Sequence, residues 1–223
     1  NSQTTEILQT ALHEATSLAD QGLTAAEHPD RGYLSLTSEA TVLNEEQVQA
    51  AEAAANRAGY SARHVSVYLA NTIENTNRPE TPPLAYAMIA ALEPLPEFAF
   101  RAGPQAESVG EGQIWLNAWA AEDLEASVVD ELKITYMIPT SAGDYPTDRV
   151  NLTVGAIVQT SGFGADPHLV PDFPGVTEAE TVGEWEAPFP VDMSLITDRD
   201  EEYWHQYRAA PKAFVHPSVV RQM

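Results

Sequence analysis

The sequence predicts an α+β fold in which one element is inserted into another. Three observations carry this expectation: helices marked by caps and apolar stripes, strand-length runs of alternating or continuous apolar residues, and a break rich in Pro and Gly. That break holds Pro94, Pro96, Gly103, Pro104, Gly110 and Gly112, and it predicts a subdomain junction.

From Thr5 to Ala19, apolar residues fall at Ile7, Leu8, Ala11, Leu12, Ala15, Leu18 and Ala19, with Gly22 as a stop. The spacing predicts an amphipathic helix. Residues 24–32 read as a polar loop, and Tyr33–Leu36 as a short strand. Asn44 followed by Gln47 is a capping-box pattern, and Gly59 closes the Ala-rich helix that it opens. His64–Leu69 alternates as a half-buried strand, Asn71–Pro83 reads as a loop, and Leu84–Leu92 as a central strand. After the junction come a strand at Gln113–Leu116, Asn117 as an N-cap, and a short helix through Leu124. Glu131–Ile138 and Val150–Val158 predict a long hairpin. Gly162–Pro190 is irregular, Val191–Ile196 is a strand candidate, Asp200–Tyr207 a short helix and Lys212–Val215 a last strand. No internal repeat is visible along the chain.

Charge excludes whole classes of partner. Eleven basic against 33 acidic residues give a formal net charge of −22, a field that repels phosphate backbones and anionic lipid. No nucleic-acid partner is expected. Lysine is confined to Lys133 and Lys212. An acidic, Lys-poor surface suits a protein working in high salt, where screening removes self-repulsion, and equally a protein from a GC-rich genome. The absence of cysteine excludes disulfides, thiolate zinc sites and a Cys nucleophile. No run approaches the ~20 apolar residues of a membrane-crossing helix. A start at Asn1 without an initiator Met points to a fragment or a processed product.

Candidate chemistry is thin. Asp166, His168 and Asp172 are closely spaced, but one His and two acids in so acidic a chain read as a solvated loop, not as three converging ligands. The other histidines are scattered. Glu184 and Glu186 flank Trp185, so a strand there would present two carboxylates beside a sugar platform. Neighbouring Glu178, Glu180 and Asp192 make a solvated acidic stretch the simpler reading. Ser161–Gly164 lacks the rest of a dinucleotide or phosphate-loop fingerprint and reads as a turn. No catalytic set, metal site or cofactor site is expected.

Three segments resemble bacterial FtsX-like ABC-transporter permeases. ITDRDEEYWHQYRAAPKAFV, Ile196–Val215, resembles that family's D-x-D-E-x-Y-W-x-x-Y-R-x-T-P-K-A-F-V stretch, with Tyr203, Trp204, Tyr207, Pro211 and Lys212 in register. IWLNAWAAEDL, Ile114–Leu124, is similar to I-x-L-N-x-W-A-A-x-D-L, with Asn117, Trp119 and Asp123 in register. Asp172, Phe173, Pro174 and Gly175, after Pro171, match the P-D-F-P-G element. Residues before 110 match only loosely, at Tyr68–Ile73 and Tyr86–Leu92. Val129 stands where the glycine of the family's V-G-D run is expected, and Ala210 replaces the usual Thr before Pro211.

The resemblance implies a MacB-like periplasmic core domain without catalysis of its own. It implies a porter-like α/β subdomain built from both chain ends (1–108, then 161–223) with an inserted β-rich, sabre-like subdomain (109–160). The full-length protein would be an integral membrane protein displaying this domain on the periplasmic or extracellular face. Its partners would be an ABC ATPase subunit reached through the membrane part, a paired permease or homodimer, and an envelope partner or substrate the sequence does not identify. The motif residues are expected to be structural, with the aromatic Tyr203/Trp204/Tyr207 cluster packing the core. The competing reading is a soluble extracellular carbohydrate-binding or hydrolytic module around Trp185.

Overall fold

The computed structural model describes residues 17–38, 42–93, 97–138, 140 and 143–221. Most of the helix expected over Thr5–Ala19, and the last two residues of the tail Ser218–Met223, lie outside them. The fold is mixed α+β, as the sequence predicts. The chain divides into two compact units, residues 1–62 and 63–223. Among the described residues no helix is long and apolar enough to cross a membrane.

In the first unit, strands β1 (Leu23–His28) and β2 (Tyr33–Ser38) form an antiparallel hairpin. β1 corrects the expected polar loop: its single buried residue, Leu23, leaves no apolar alternation to read. The turn is set by Gly32 at φ 74°, whose N–H donates to His28 O at 2.8 Å. Helix α1 (Glu45–Arg57) starts in the predicted capping box. Gln47 N–H donates to Asn44 Oδ1 and Asn44 N–H to Gln47 Oε1, both at 2.9 Å. No residue of α1 is buried, although Gln47, Val48, Ala51, Glu52 and Ala55 are half-buried along one face.

The second unit is built on seven strands: β3 (His64–Asn75), β4 (Leu84–Glu93), β5 (Phe100–Ala102), β6 (Gln113–Asn117), β7 (Glu131–Met137), β8 (Thr147–Val158) and β9 (Ala213–Val215). They hydrogen-bond in the order β5-β8-β6-β9-β4-β3-β7, and β7 pairs back onto β8. Six strands therefore close into a ring, with β5 attached to β8. Closure leaves no free edge among the six. The long β8 makes this possible, pairing with β7 from Thr147 to Thr153 and with β6 from Thr153 to Val158.

The ring has an internal two-fold pattern. β3–β4 and β7–β8 are the antiparallel hairpins of two halves. Each hairpin's second strand runs parallel to the third strand of the other half, β4 beside β9 and β8 beside β6. The two third strands pair antiparallel with each other, as do β3 and β7. Each half then ends in a short helix opened by a side-chain cap: α2 (Ala118–Asp123) by Asn117, and α4 (Pro217–Val220) by His216. The repeat absent from the residues is present in the connectivity.

Strand parity builds the core. Ile114, Leu116, Leu132, Ile134, Leu152, Val154, Ala213 and Val215 share one face and one cluster with Ile73, Ile89 and Ala91, joined by Ala120 and Ala121 from α2 and by Leu124 at its C-cap. The alternate residues Ala90, Leu92, Trp115 and Phe214 form a second cluster, joined by Ala156 and Val158 because the β6–β8 register shifts between Val154 and Ala156, and Phe98, Phe100 and Phe163 pack onto it. β4, β6, β8 and β9 thus carry apolar residues on both faces, which is why they read as continuous apolar runs.

Two expectations are corrected here. β3 runs on through Asn75, because Thr72–Asn75 pair with Leu132–Thr135 of β7 and override the polar composition. Val191–Ile196 is not a strand. Met193–Leu195 form a 3₁₀ turn capped by Asp192, whose carboxylate accepts from Ser194 N–H at 3.0 Å. The irregular stretch from Gly162 to Pro190 is organised by further 3₁₀ turns, at Gly162–Ala165, Pro167–Leu169 and Val182–Glu184.

Candidate functional site

The family-like segments meet around Lys212, the residue before β9. Its N–H donates to Met88 O at 2.9 Å, and its carbonyl accepts from Asn117 N–H at 3.0 Å, so its backbone is pinned between β4 and β6. Its Nζ lies 3.0 Å from Asp200 Oδ1, and both side chains are nearly sealed, at 8% and 7% exposure. The ammonium also faces two rings, 4.7 Å from the centroid of Trp119 and 4.8 Å from that of Tyr203. One carboxylate and two π faces hold this charge inside the protein. Burial lowers the Lys212 pKa, opposed by the Asp200 charge and its hydrogen bond.

Asp200 is shared. It sits in the first turn of α3 (Asp198–Tyr207), where its Oδ2 accepts from Thr197 N–H at 3.0 Å and Thr197 Oγ1–H at 2.8 Å. Its other oxygen takes Lys212. A single carboxylate thus caps a helix and anchors the return strand. On the same helix Arg199 pairs with Asp123 of α2 and lies over the Trp119 ring at 5.2 Å. Desolvation raises the Asp123 pKa, with Arg199 opposing it.

Asn117 ties the Ile114–Leu124 segment to the Ile196–Val215 segment. Its Oδ1 accepts from Ala120 N–H at 2.8 Å, capping α2, while its Nδ2 donates to Tyr203 Oη at 2.9 Å and Pro211 O at 3.2 Å. Tyr203 is buried, tilted against Trp119 at 4.7 Å and Tyr207 at 4.9 Å. Its burial raises the phenol pKa, only partly offset by the bond from Asn117. Asn117 and Tyr203 therefore hold a buried polar knot together, which costs least when every group is paired.

The P-D-F-P-G element joins from the other side of α3. Phe173 packs on the cluster that contains Trp204, Val176 and Val182, and meets Phe189 edge-on at 6.1 Å. Asp172 and Pro174 are exposed. Gly175 has φ 82°, and a Cβ there would lie 2.2 Å from Glu186 O, so only glycine fits. Three residues of α3 and its C-cap fasten the acidic stretch that follows. Glu201 accepts from Val182 and Gly183 N–H, both at 3.0 Å, and Trp204 Nε1–H donates to Ala179 O at 3.1 Å. Arg208 reaches Ala179 O at 2.7 Å, Glu180 O at 3.3 Å and Thr177 O at 3.4 Å.

The sites weighed from sequence fare differently. Glu184 lies in a 3₁₀ turn and Glu186 beyond it, both exposed, so the strand that would align them is not formed. Trp185 is committed to packing, with its ring 5.1 Å from that of Trp204 and 6.3 Å from that of Tyr86. Asp166 is buried and its carboxylate accepts from His168 N–H at 3.1 Å as a 3₁₀ cap, whereas Asp172 is exposed. Among the described residues no three His, Cys, Asp or Glu converge as metal ligands. A cavity of about 20 Å³, room for roughly one water, is lined by Tyr86, Met88, Trp185, Asp200, Tyr203 and Lys212 among others.

Asp200 and Arg199 carry no assigned role in the sequence reading, although Asp200 lies inside a quoted motif. The signal was present in Thr197-x-x-Asp200, the spacing of a capping box. No protein-family model matches the chain, and no curated protein matches it.

Proposed function

We propose that this chain is the non-catalytic extracytoplasmic domain of an ABC-type permease, coupling ATP-driven motion of membrane helices to export or envelope work. The observation that carries the reading is how the family-like residues are used. Asn117, Trp119, Tyr203 and Lys212 are spent on one another, in caps, ring contacts and a buried ion pair. That is the pattern expected of motif residues kept for architecture. The net charge of −22 fits a domain exposed to solvent with no phosphate-bearing ligand.

The finer arrangement belongs to the same proposal. Residues 1–108 and 161–223 would make the porter-like part, and 109–160 the β-rich insert. In that scheme the insert is joined to the porter-like part through a shared sheet, since β6 and β8 hydrogen-bond with β9 and β5. The domain would stand on the periplasmic or extracellular face, with an ABC ATPase subunit engaged through the membrane part and a second permease as partner. The test is the parent sequence. It should carry hydrophobic membrane spans on both sides of this segment, and a parent without any would sink the proposal.

A further inference from the structure

A buried ion pair is poor insurance for stability, because apolar residues of equal volume commonly serve as well or better. The Lys212–Asp200 pair therefore calls for a role beyond stability, and its connections supply one. β9 has only three residues, yet it sits in the middle of the strand ring between β4 and β6. The residue just before it, Lys212, is bonded on three sides, to Met88 of β4, to Asn117 at the end of β6, and through Nζ to Asp200 of α3. From Asp200 the connection continues along α3 to Glu201, Trp204 and Arg208, which hold the backbone of residues 177–183.

We infer that Lys212 and Asp200 form a joint that makes the return strand β9, helix α3 and the acidic loop on it move as one body. A displacement of the chain beyond β9 is delivered through the ion pair to α3, and through α3 to the loop. The inference rests on the connections within this unit and stands whether or not the permease reading holds. Spatial continuity alone does not establish coupling, so the test must read coupling itself.

Native-state hydrogen exchange under increasing urea does so on the intact chain. In the unmodified protein the amides of Tyr203–Tyr207 and of Lys212–Val215 should open with the same urea dependence, as one cooperative unit. The double substitution Lys212→Met with Asp200→Asn removes both charges but keeps an oxygen for the Thr197 cap. It should leave the strand amides exchanging as before, and speed those of α3 at least tenfold. The joint is disproved if helix and strand open independently in the unmodified protein, or if they still open together in the double variant. The first comparison needs no variant, so a variant that fails to fold leaves the inference open to refutation.

Discussion

Val129 sits where a glycine belongs, and replacing it should stabilise the protein. Ser127–Asp130 form a type II turn, with Asp130 N–H donating to Ser127 O at 3.1 Å and Val129 in the third position at φ 75°. A β-branched side chain is badly placed there, at a cost of about 1–2 kcal/mol for a non-glycine residue. Glycine in turn loses more freedom on folding, about 0.5–1 kcal/mol. The valine side chain contributes little in return, since the residue is 78% exposed. Its N–H bond to Val154 O, 2.8 Å, survives the change. Val129→Gly should therefore gain about 0.5–1 kcal/mol. In a domain of this size that is roughly 1–4 °C in Tm, read by thermal circular dichroism and by the urea midpoint at constant m. Val128→Gly, one position earlier at negative φ, should destabilise. A loss of stability in Val129→Gly would refute the turn assignment and the strain argument together.

Lys212→Met alone leaves the Asp200 carboxylate buried without its partner and should cost about 3–5 kcal/mol, most of it recovered by adding Asp200→Asn, both read by urea denaturation. Gly175→Ala forces a Cβ toward Glu186 O and should lower the urea midpoint by the equivalent of at least 2 kcal/mol, the upper part of the range for backbone strain. Tyr203 holds its proton more tightly folded than unfolded, so the stability it confers is complete below its ordinary pKa of 10.0 and is lost as pH rises beyond it. Tyr203→Phe should flatten that alkaline loss, with tyrosinate absorbance in the unmodified protein rising for this residue only on unfolding. Raising NaCl from 0.01 to 1 M shortens the screening length from about 30 to 3 Å, so a chain of net charge −22 should gain Tm.

Local signals were legible and non-local ones were not. The Asn44–Gln47 box, the Asn117 cap and the β7–β8 hairpin could be read because each is decided within a few residues. The extension of β3 into Asn75 could not, since partners 49 or more residues away supply its hydrogen bonds: Asn75 Nδ2 reaches Leu124 O at 3.0 Å and its backbone register is with Leu132. Ring closure and the two-fold pattern are properties of connectivity. Gln113–Asn117 and Ala213–Val215 play equivalent parts with almost no residue in common. The site shows the same division. Asn117, Trp119, Tyr203 and Lys212 stand out as motif letters, but only the fold reveals that the lysine is held by Asp200 between the other two rings.

The central claim, that this chain is displayed outside the membrane by a permease, is open to one direct measurement. The chain has no cysteine, so a single Cys at exposed Val129, in a full-length parent otherwise free of cysteine, is a clean reporter. The account predicts labelling by a membrane-impermeant maleimide in intact cells, with the protein recovered in the membrane fraction. Labelling only after lysis, or recovery in the soluble fraction, would contradict it.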